Sequence, residues 1–404
     1  MRRLLMETLS PPVRGVPVAI LWMQLLAAML APSALAQTPP VDSNDGEERI
    51  ALVLGGGGAL GLAHVGVLRV LEEAGIDPHI VVGTSMGAVI GSLYAAGYSA
   101  REIEEIALEL DWAKLFTDSA PRRELLFRRK EELRVFPSGL RLGLSRDGML
   151  LPRGLISGRR LRETIASLLS ARTLVADFDA LPRRFRAVAT DIETFEAVVL
   201  AQGDLASAVF ASMAVPAFIP PQVIDGRTLI DGGVASNVPI DVARELGADR
   251  LIVVNLTVAP SRAEDIDNVV DVIGQLTVFL TLQNVRRELP SLEDGDVLLE
   301  PLFEGYSATD FDKGEDLIAI GRDAAQSQLA TLQALAMRQP ANALTAATTQ
   351  TPEGSPPTIE SVRIENATQY PTRFIERAVK QPLGEPLDYA TLSRNIDTLY
   401  GTDE

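Results

Sequence analysis

Cysteine is absent from this sequence. Its absence excludes disulfides, thiolate nucleophiles and cysteine-ligated zinc together, without fixing a compartment. Histidine is scarce, with two in 404 residues, so a reaction that uses an imidazole has only His64 and His79 to draw on. Cationic charge is also short: 37 Lys and Arg stand against 54 Asp and Glu, a formal net charge of −17. A nucleic-acid partner is therefore not expected, because a phosphate backbone has to be met by clustered Lys and Arg. Beyond the N-terminal stretch, no segment is apolar for the roughly 20 residues that a membrane-spanning helix requires. Hydrophobic content, by contrast, is 47%, enough for one large buried core and a smaller second domain.

Residues 1–36 read as a secretory signal peptide, with an uncleaved anchor helix as the alternative. Arg2, Arg3 and Arg14 make a basic leader, residues 16–30 an apolar run, and Ala34-Leu35-Ala36 a small-x-small cleavage site before Gln37. Cleavage removes three Arg and one Glu and takes the net charge from −17 to −19. The expected destination is the periplasm, the outer membrane or the cell surface.

Residues 37–47 are a polar stretch. From 48 to 338, short β-branched runs alternate with longer amphipathic ones, the pattern of an α/β domain on a mostly parallel sheet. Strands are expected at 50–54, 80–82, 186–189, 197–200, 228–230, 251–255 and 297–299. Helices are expected at 60–74, 86–96, 100–110, 158–169, 239–246, 266–288 and 314–336. Residues 339–357 are rich in Ala, Thr, Gln and Pro and read as a linker. Past it, 358–364 is expected as a strand and 371–379 and 388–400 as short helices.

The chemistry begins at Gly55-Gly56-Gly57-Gly58-Ala59-Leu60-Gly61, which follows an expected strand and opens an expected helix. Several backbone N–H groups there converge with no side chains in the way, an anion or oxyanion site. Gly56, Gly58 and Gly61 also satisfy G-x-G-x-x-G, but a dinucleotide site wants an acidic residue about 20 positions further on. Val81-Val82-Gly83-Thr84 stands there instead. A purely structural glycine turn is the other alternative.

Gly83-Thr84-Ser85-Met86-Gly87 is a G-x-S-x-G motif between strand and helix, where a tight turn presents the Ser85 hydroxyl at the sheet's carboxyl edge. The Met86 N–H would complete an oxyanion hole with Gly56, Gly57 and Gly58. A hydroxyl also needs a base. Both histidines precede Ser85, so the usual Ser, Asp or Glu, His order is not available, and His64 is expected to pack within the first helix. Asp231-Gly232-Gly233 follows the apolar Leu229-Ile230 pair and places a carboxylate at a strand end. An exposed Asp, with a pKa of about 3.9, is a weak base, so burial has to raise it.

Taken together, 55–68, 83–87, 189–191, 211–221 and 231–239 resemble the patatin-like phospholipase family, and the resemblance spans nearly all of 48–338. The matching motifs are the glycine loop (with Gly61), the elbow between Gly83 and Gly87, Ala-Thr-Asp-Ile-Glu-Thr, Ala-Ser-Met-Ala-Val-Pro, and Asp-Gly-Gly-Val-Ala-Ser-Asn-Val-Pro with Gly232 and Gly233. The resemblance implies a three-layer α/β/α fold and a Ser85–Asp231 dyad that hydrolyses acyl esters of phospholipids or neutral lipids, with neither metal nor cofactor. The chain departs from the family at Leu60, where Arg or Lys is usual. The loop amides survive that change and a positive charge is lost. A catalytically degenerate module that only holds lipid or an anion is the competing reading. Asp191 is expected to be structural, and Ser212 and Pro216 to shape the pocket wall.

Between Arg122 and Arg162, twelve basic residues face four acidic ones. Arg122, Arg123, Arg128, Arg129 and Lys130 alternate there with Leu125, Leu126 and Phe127, so this segment is a candidate for contact with an anionic membrane surface. A solvated basic face is the alternative. Residues 358–404 resemble the first part of a POTRA domain, an α+β unit, through Ile359-Glu360-Ser361-Val362-Arg363-Ile364 and residues 392–400. Patatin-like chains with that domain usually continue into an outer-membrane β-barrel, as in type Vd autotransporters. The resemblance thus implies a longer parent chain.

Overall fold

The computed structural model describes residues 48–116, 154–256, 260 and 262–339, the backbone of 143–145 and 148–150, and further on 358–364, 371–379, 382–386, 388 and 391. All lie in the unit Glu47–Glu404. The expected signal peptide, the basic segment from Arg122 to Lys130, nearly all of the linker and most of the expected last helix lie outside these residues.

In chain order the elements are β1 (Ile50–Leu54), α1 (Ala63–Glu73), β2 (Ile80–Thr84), α2 (Met86–Ala95), α3 (Ala100–Glu109), α4 (Trp112–Leu115), β3 (Gly143–Ser145) and β4 (Gly148–Leu150). Next come α5 (Arg159–Ser170), β5 (Arg184–Asp191), β6 (Ala197–Leu200), α6 (Leu205–Ser212), β7 (Gln222–Ile224), β8 (Arg227–Asp231), α7 (Ile240–Glu245) and β9 (Arg250–Val254). The last are α8 (Val269–Glu288), β10 (Val297–Leu299), α9 (Gly314–Ser327), α10 (Leu329–Ala336) and α11 (Thr372–Val379).

Eight strands form one sheet in the order β10-β9-β1-β2-β5-β8-β7, with β6 also paired to β5. From β10 to β5 every pairing is parallel, whereas β6, β7 and β8 join antiparallel. The sheet is therefore mixed, with a parallel majority. Its strands alternate sides as the pleat demands. Ile50, Leu52 and Leu54 enter one core, and Ala51 and Val53 the other. The larger core packs under α1, α2 and α9, and the smaller under α7 and Val285 of α8. This is the three-layer α/β/α arrangement, with both sheet faces covered as parallel strands require.

Several expectations are corrected. Gln222–Ile224 is a strand that alternation did not reveal, because it is short and only partly buried. Leu205–Ser212 forms a helix buried nearly all round, so it carries no amphipathic stripe to read. Its start is set by Asp204, whose side chain accepts from the Ser207 N–H. The long helix expected over 314–336 is two helices that break at Gln328. The glycine loop enters a 3-10 turn, Gly58–Leu62, before α1 starts. The strand expected over 358–364 does not form: Thr358 makes an isolated bridge to Pro386, and Ile359 exchanges hydrogen bonds with Gly384 and Glu385.

The tightest helix contact is α1 against α9, where glycine replaces side-chain packing with backbone contact. A Cβ on Gly66 would lie 1.9 Å from the Ile318 carbonyl oxygen, and one on Gly321 1.9 Å from that of Ala63. Gly66→Val is expected to cost about 3 kcal/mol or more, read as a lowered denaturation midpoint. Gly274, inside α8, has open space at its Cβ position, so Gly274→Ala should instead stabilise by about 0.8 kcal/mol.

Candidate active site

Register alone brings the two key residues level. Thr84, the last residue of β2, pairs with Val188 of β5, so Ser85 emerges beside Ala189. From the other side, Ala189 pairs with Asp231, the last residue of β8. One strand, β5, thus separates the serine from the carboxylate, and the turn after Asp231 crosses it. A Cβ on Gly232 would lie 2.1 Å from the Val188 carbonyl and 3.0 Å from Thr84 Cγ2, so the chain passes directly over β5 toward the elbow.

Ser85 adopts φ 54° and ψ −123°, a conformation that costs a non-glycine residue on the order of 1–3 kcal/mol and persists only where the surroundings impose it. Ser212 imposes it from below. The Ser85 N–H donates to Ser212 Oγ at 2.9 Å, and the Ser212 hydroxyl donates to the Val188 carbonyl at 2.6 Å. Backbone contact imposes it from the sides. A Cβ on Gly83 would meet the Gly87 carbonyl at 2.5 Å, and one on Gly87 would meet the Leu54 carbonyl at 2.1 Å. Gly61 leaves room for Met86, whose Cγ would lie 2.2 Å from an added Cβ.

Asp231 is buried. Its Oδ1 accepts from the Gly233 N–H at 2.8 Å, and its Oδ2 has no well-formed hydrogen bond among the described residues. Burial pushes its pKa up from 3.8 to about 6, and the Ser85 hydroxyl and the Gly233 amide, as hydrogen-bonding neighbours, pull back against that rise. The raised value is what a base acting near neutrality needs.

The glycine loop abuts the elbow, and a Cβ on Gly56 would stand 2.8 Å from Ser85 Cβ. Gly56 departs from its expected role: its N–H donates to Asn237 Oδ1 at 3.1 Å and is not free for a ligand. The N–H groups of Gly57, Gly58 and Met86 have no partner among the described residues, and all three residues line the same cavity as Ser85 and Asp231. His64 lies behind the loop, fully buried, with Nε2 donating to the Gly55 carbonyl at 2.7 Å. Burial pushes its pKa down to about 4, so it stays a neutral prop. His79, whose Nδ1 accepts from the Ile50 N–H, sits at the opposite ends of the strands.

The cavity has a volume of about 1550 Å³ and is walled largely by apolar side chains, among them Leu60, Trp112, Phe116 and Phe218. Neither Ser212 nor Pro216 lines it, contrary to expectation; their neighbours Met213 and Val215 do. Asp191 turns the chain after β5, its Oδ1 accepting from the Glu193 N–H at 2.9 Å.

Two asparagines were not singled out from the sequence. Asn237 braces Gly56, and Asn284, on α8, donates to the Gly233 carbonyl at 2.7 Å while accepting from the Asn237 N–H at 3.0 Å. Asn237 had a visible signal, its place inside the Asp-Gly-Gly motif. Asn284 had none, as one polar residue among several near the end of its helix.

An elbow serine, a buried carboxylate and amides with no partner among the described residues surround one largely apolar cavity at the carboxyl ends of the parallel strands, the layout of an α/β fold with a hydrolase-like site. Residues 52–244 match the family model described as Patatin-like phospholipase. An uncharacterized NTE family protein of Mycobacterium tuberculosis is 32% identical over 208 residues, which is 52% of this chain and 49% of that protein. Human patatin-like phospholipase domain-containing protein 6 is 34% identical over 209 residues, 51% of this chain and 13% of that protein. The chain thus spans about half the length of the mycobacterial relative it matches. The crystal structure of VipD from Legionella pneumophila aligns at 15% identity and a TM-score of 0.40, covering 71% of this chain and 67% of that one.

Because Asp231 holds its proton more tightly in the folded chain than in the unfolded one, stability falls as pH rises from about 3.8 to about 6. Asp231→Asn removes that penalty. The variant should be more stable than the parent above pH 6, by on the order of 3 kcal/mol, with the difference vanishing below about pH 4. Melting curves across pH test this, and an unchanged difference at all pH values would contradict the buried, raised carboxylate.

Proposed function

We propose that residues 48–338 are a lipid acyl hydrolase working through a Ser85–Asp231 dyad. The observation that carries the reading is the pairing of an elbow serine with a buried carboxylate whose pKa is raised to about 6, both opening on one large apolar cavity. The patatin-like match over 52–244 supports a lipid ester as substrate.

In this reading Asp231 takes the Ser85 proton as Oγ bonds to the acyl carbonyl carbon. The oxyanion that forms accepts from the N–H groups of Gly57, Gly58 and Met86, each donor contributing a few kcal/mol. Asp231 then passes its proton to the departing alcohol, leaving an acyl ester on Ser85. Water attacks that ester while Asp231 takes one of its protons, and the proton returns to Ser85 Oγ as the fatty acid leaves. The apolar walls hold the acyl chain, and Leu60 leaves the loop without the cation that the family usually has there.

We further propose that the domain is exported, on the strength of the basic, apolar and Ala-Leu-Ala signals at the N-terminus. The sequence resemblance of 358–404 to the first part of a POTRA domain is the ground for proposing presentation by an outer-membrane β-barrel, although the strand expected over 358–364 does not form.

Assays on soluble short-chain esters and on phospholipid vesicles test the dyad. Ser85→Ala and Asp231→Asn should each lower kcat by about a thousandfold or more, with the fold retained. The parent's kcat/KM should fall as pH drops through about 6, because only the ionised Asp231 can accept the proton. Full turnover in either variant, or the absence of an acid limb, would contradict the assignment.

A further inference from the structure

Helix α8 has two faces with different surroundings. Gly274, Val278, Leu282 and Val285 line the cavity that holds Ser85 and Asp231. Val269, Val272, Leu276, Phe279 and Leu280 recur at helical spacing on the outward side and do not line it. These five are exposed, from 42% at Leu280 to 74% at Val269. Successive turns of a surface helix normally put polar side chains at such positions. The outward stripe continues through Gln283 to Arg286 and Arg287, both exposed, so it runs from apolar to cationic along its length. Apart from Asp271 in its first turn, α8 has no charged residue before Arg286.

The cavity that α8 walls also has exposed lining: Leu108, Leu155 and Phe218 are 44%, 49% and 38% exposed, and Asp111, Asp312, Lys313, Glu315 and Asp316 are exposed beside them. Among the described residues no helix is long and apolar enough to cross a membrane. The remaining geometry for such a face is to lie in the interface with its polar end among the headgroups.

We propose that the outward face of α8 docks on an anionic lipid surface, seating Val272, Leu276 and Phe279 in the acyl boundary and Arg286 among the phosphates. The choice of lipid as the occupant rests on the hydrolase reading; the helix's place as a wall of the cavity and its apolar-to-cationic polarity argue for a membrane over a second protein. Asn284, on the buried face of the same helix, holds Gly233 beside Asp231, so α8 is in contact with both the docking surface and the catalytic turn.

The test uses the full chain with Ser85→Ala, so that vesicles survive, and measures co-sedimentation with phosphatidylcholine vesicles with and without phosphatidylglycerol. Adding Leu276→Asp and Phe279→Asp should weaken binding to the anionic vesicles by at least about tenfold, since each side chain loses its apolar burial. In the Ser85 background the same pair should depress hydrolysis of vesicle lipid and leave turnover of soluble short-chain esters within about twofold, the error expected for sites that do not couple. Should the aspartates disturb folding, Leu276→Gln with Phe279→Gln carries the same comparison. Unchanged vesicle binding in the variants overturns the proposal. So does a parent that is dimeric by light scattering and becomes monomeric in the variants with vesicle binding intact, because the face is then a subunit interface. A parent that binds vesicles but turns over no ester defeats the hydrolase reading and leaves the docking result standing.

Discussion

Buried backbone groups have to be paired, and here two asparagines pair them where the chain would otherwise be hardest to hold. The Gly56 N–H and the Gly233 carbonyl, both of buried residues, sit beside the serine and the carboxylate respectively. Asn237 satisfies the first and Asn284 the second, and the two asparagines are bonded to each other. Glycine loop, Asp231 turn and α8 are thereby one hydrogen-bonded unit. Without Asn237 the Gly56 N–H is unmatched, and without Asn284 the Asn237 N–H is, while Thr281 still donates to the Gly233 carbonyl; each orphaned donor costs about 1–3 kcal/mol before any effect on geometry. Taking the Gly56 amide out of service also determines which donors remain: the loop offers Gly57 and Gly58, and the elbow offers Met86.

The elbow and the carboxylate share a second constraint, since each is held in a state the chain would not choose alone. Ser85 sits at positive φ because Ser212 and the backbone of its flanking glycines leave it no alternative. Asp231 sits in an apolar environment that disfavours its charge. Folding tolerates both because the parallel strands β1 and β2 beneath the elbow are buried on both faces. The structural cost falls at the place where a strained nucleophile and a raised base are useful, the usual relation between stability and an active site.

What could be read from residues alone follows the same physics. The glycine loop, the elbow and Asp231 were legible because each is a strand-to-turn junction with glycines where a side chain would strike backbone. Most strands and amphipathic helices were legible by period, although β2, β5 and β8 extend beyond the apolar runs that marked them. The helix over Leu205–Ser212 was not, because Ala, Val and Phe buried on all sides give no stripe. The break at Gln328 was not, because no Gly or Pro marks it. Ser212 acts on Ser85 from 127 residues away, and Asn284 acts on Asn237 from 47 away; contacts of that kind exist only once the sheet order is known. The outward stripe of α8 was hidden by the apolar residues on its cavity side, which make the helix look hydrophobic throughout.

The central claim is that the Ser85 hydroxyl, the Asp231 carboxylate and three main-chain amides form one reactive constellation. A crystal structure of the protein after reaction with a fluorophosphonate ester tests it most directly. The expected result is a covalent adduct on Ser85 Oγ with its phosphoryl oxygen about 2.7–3.1 Å from the amides of Gly57 or Gly58 and Met86, and Asp231 beside the bonded oxygen. An unmodified Ser85, or a phosphoryl oxygen pointing away from those amides, would contradict it.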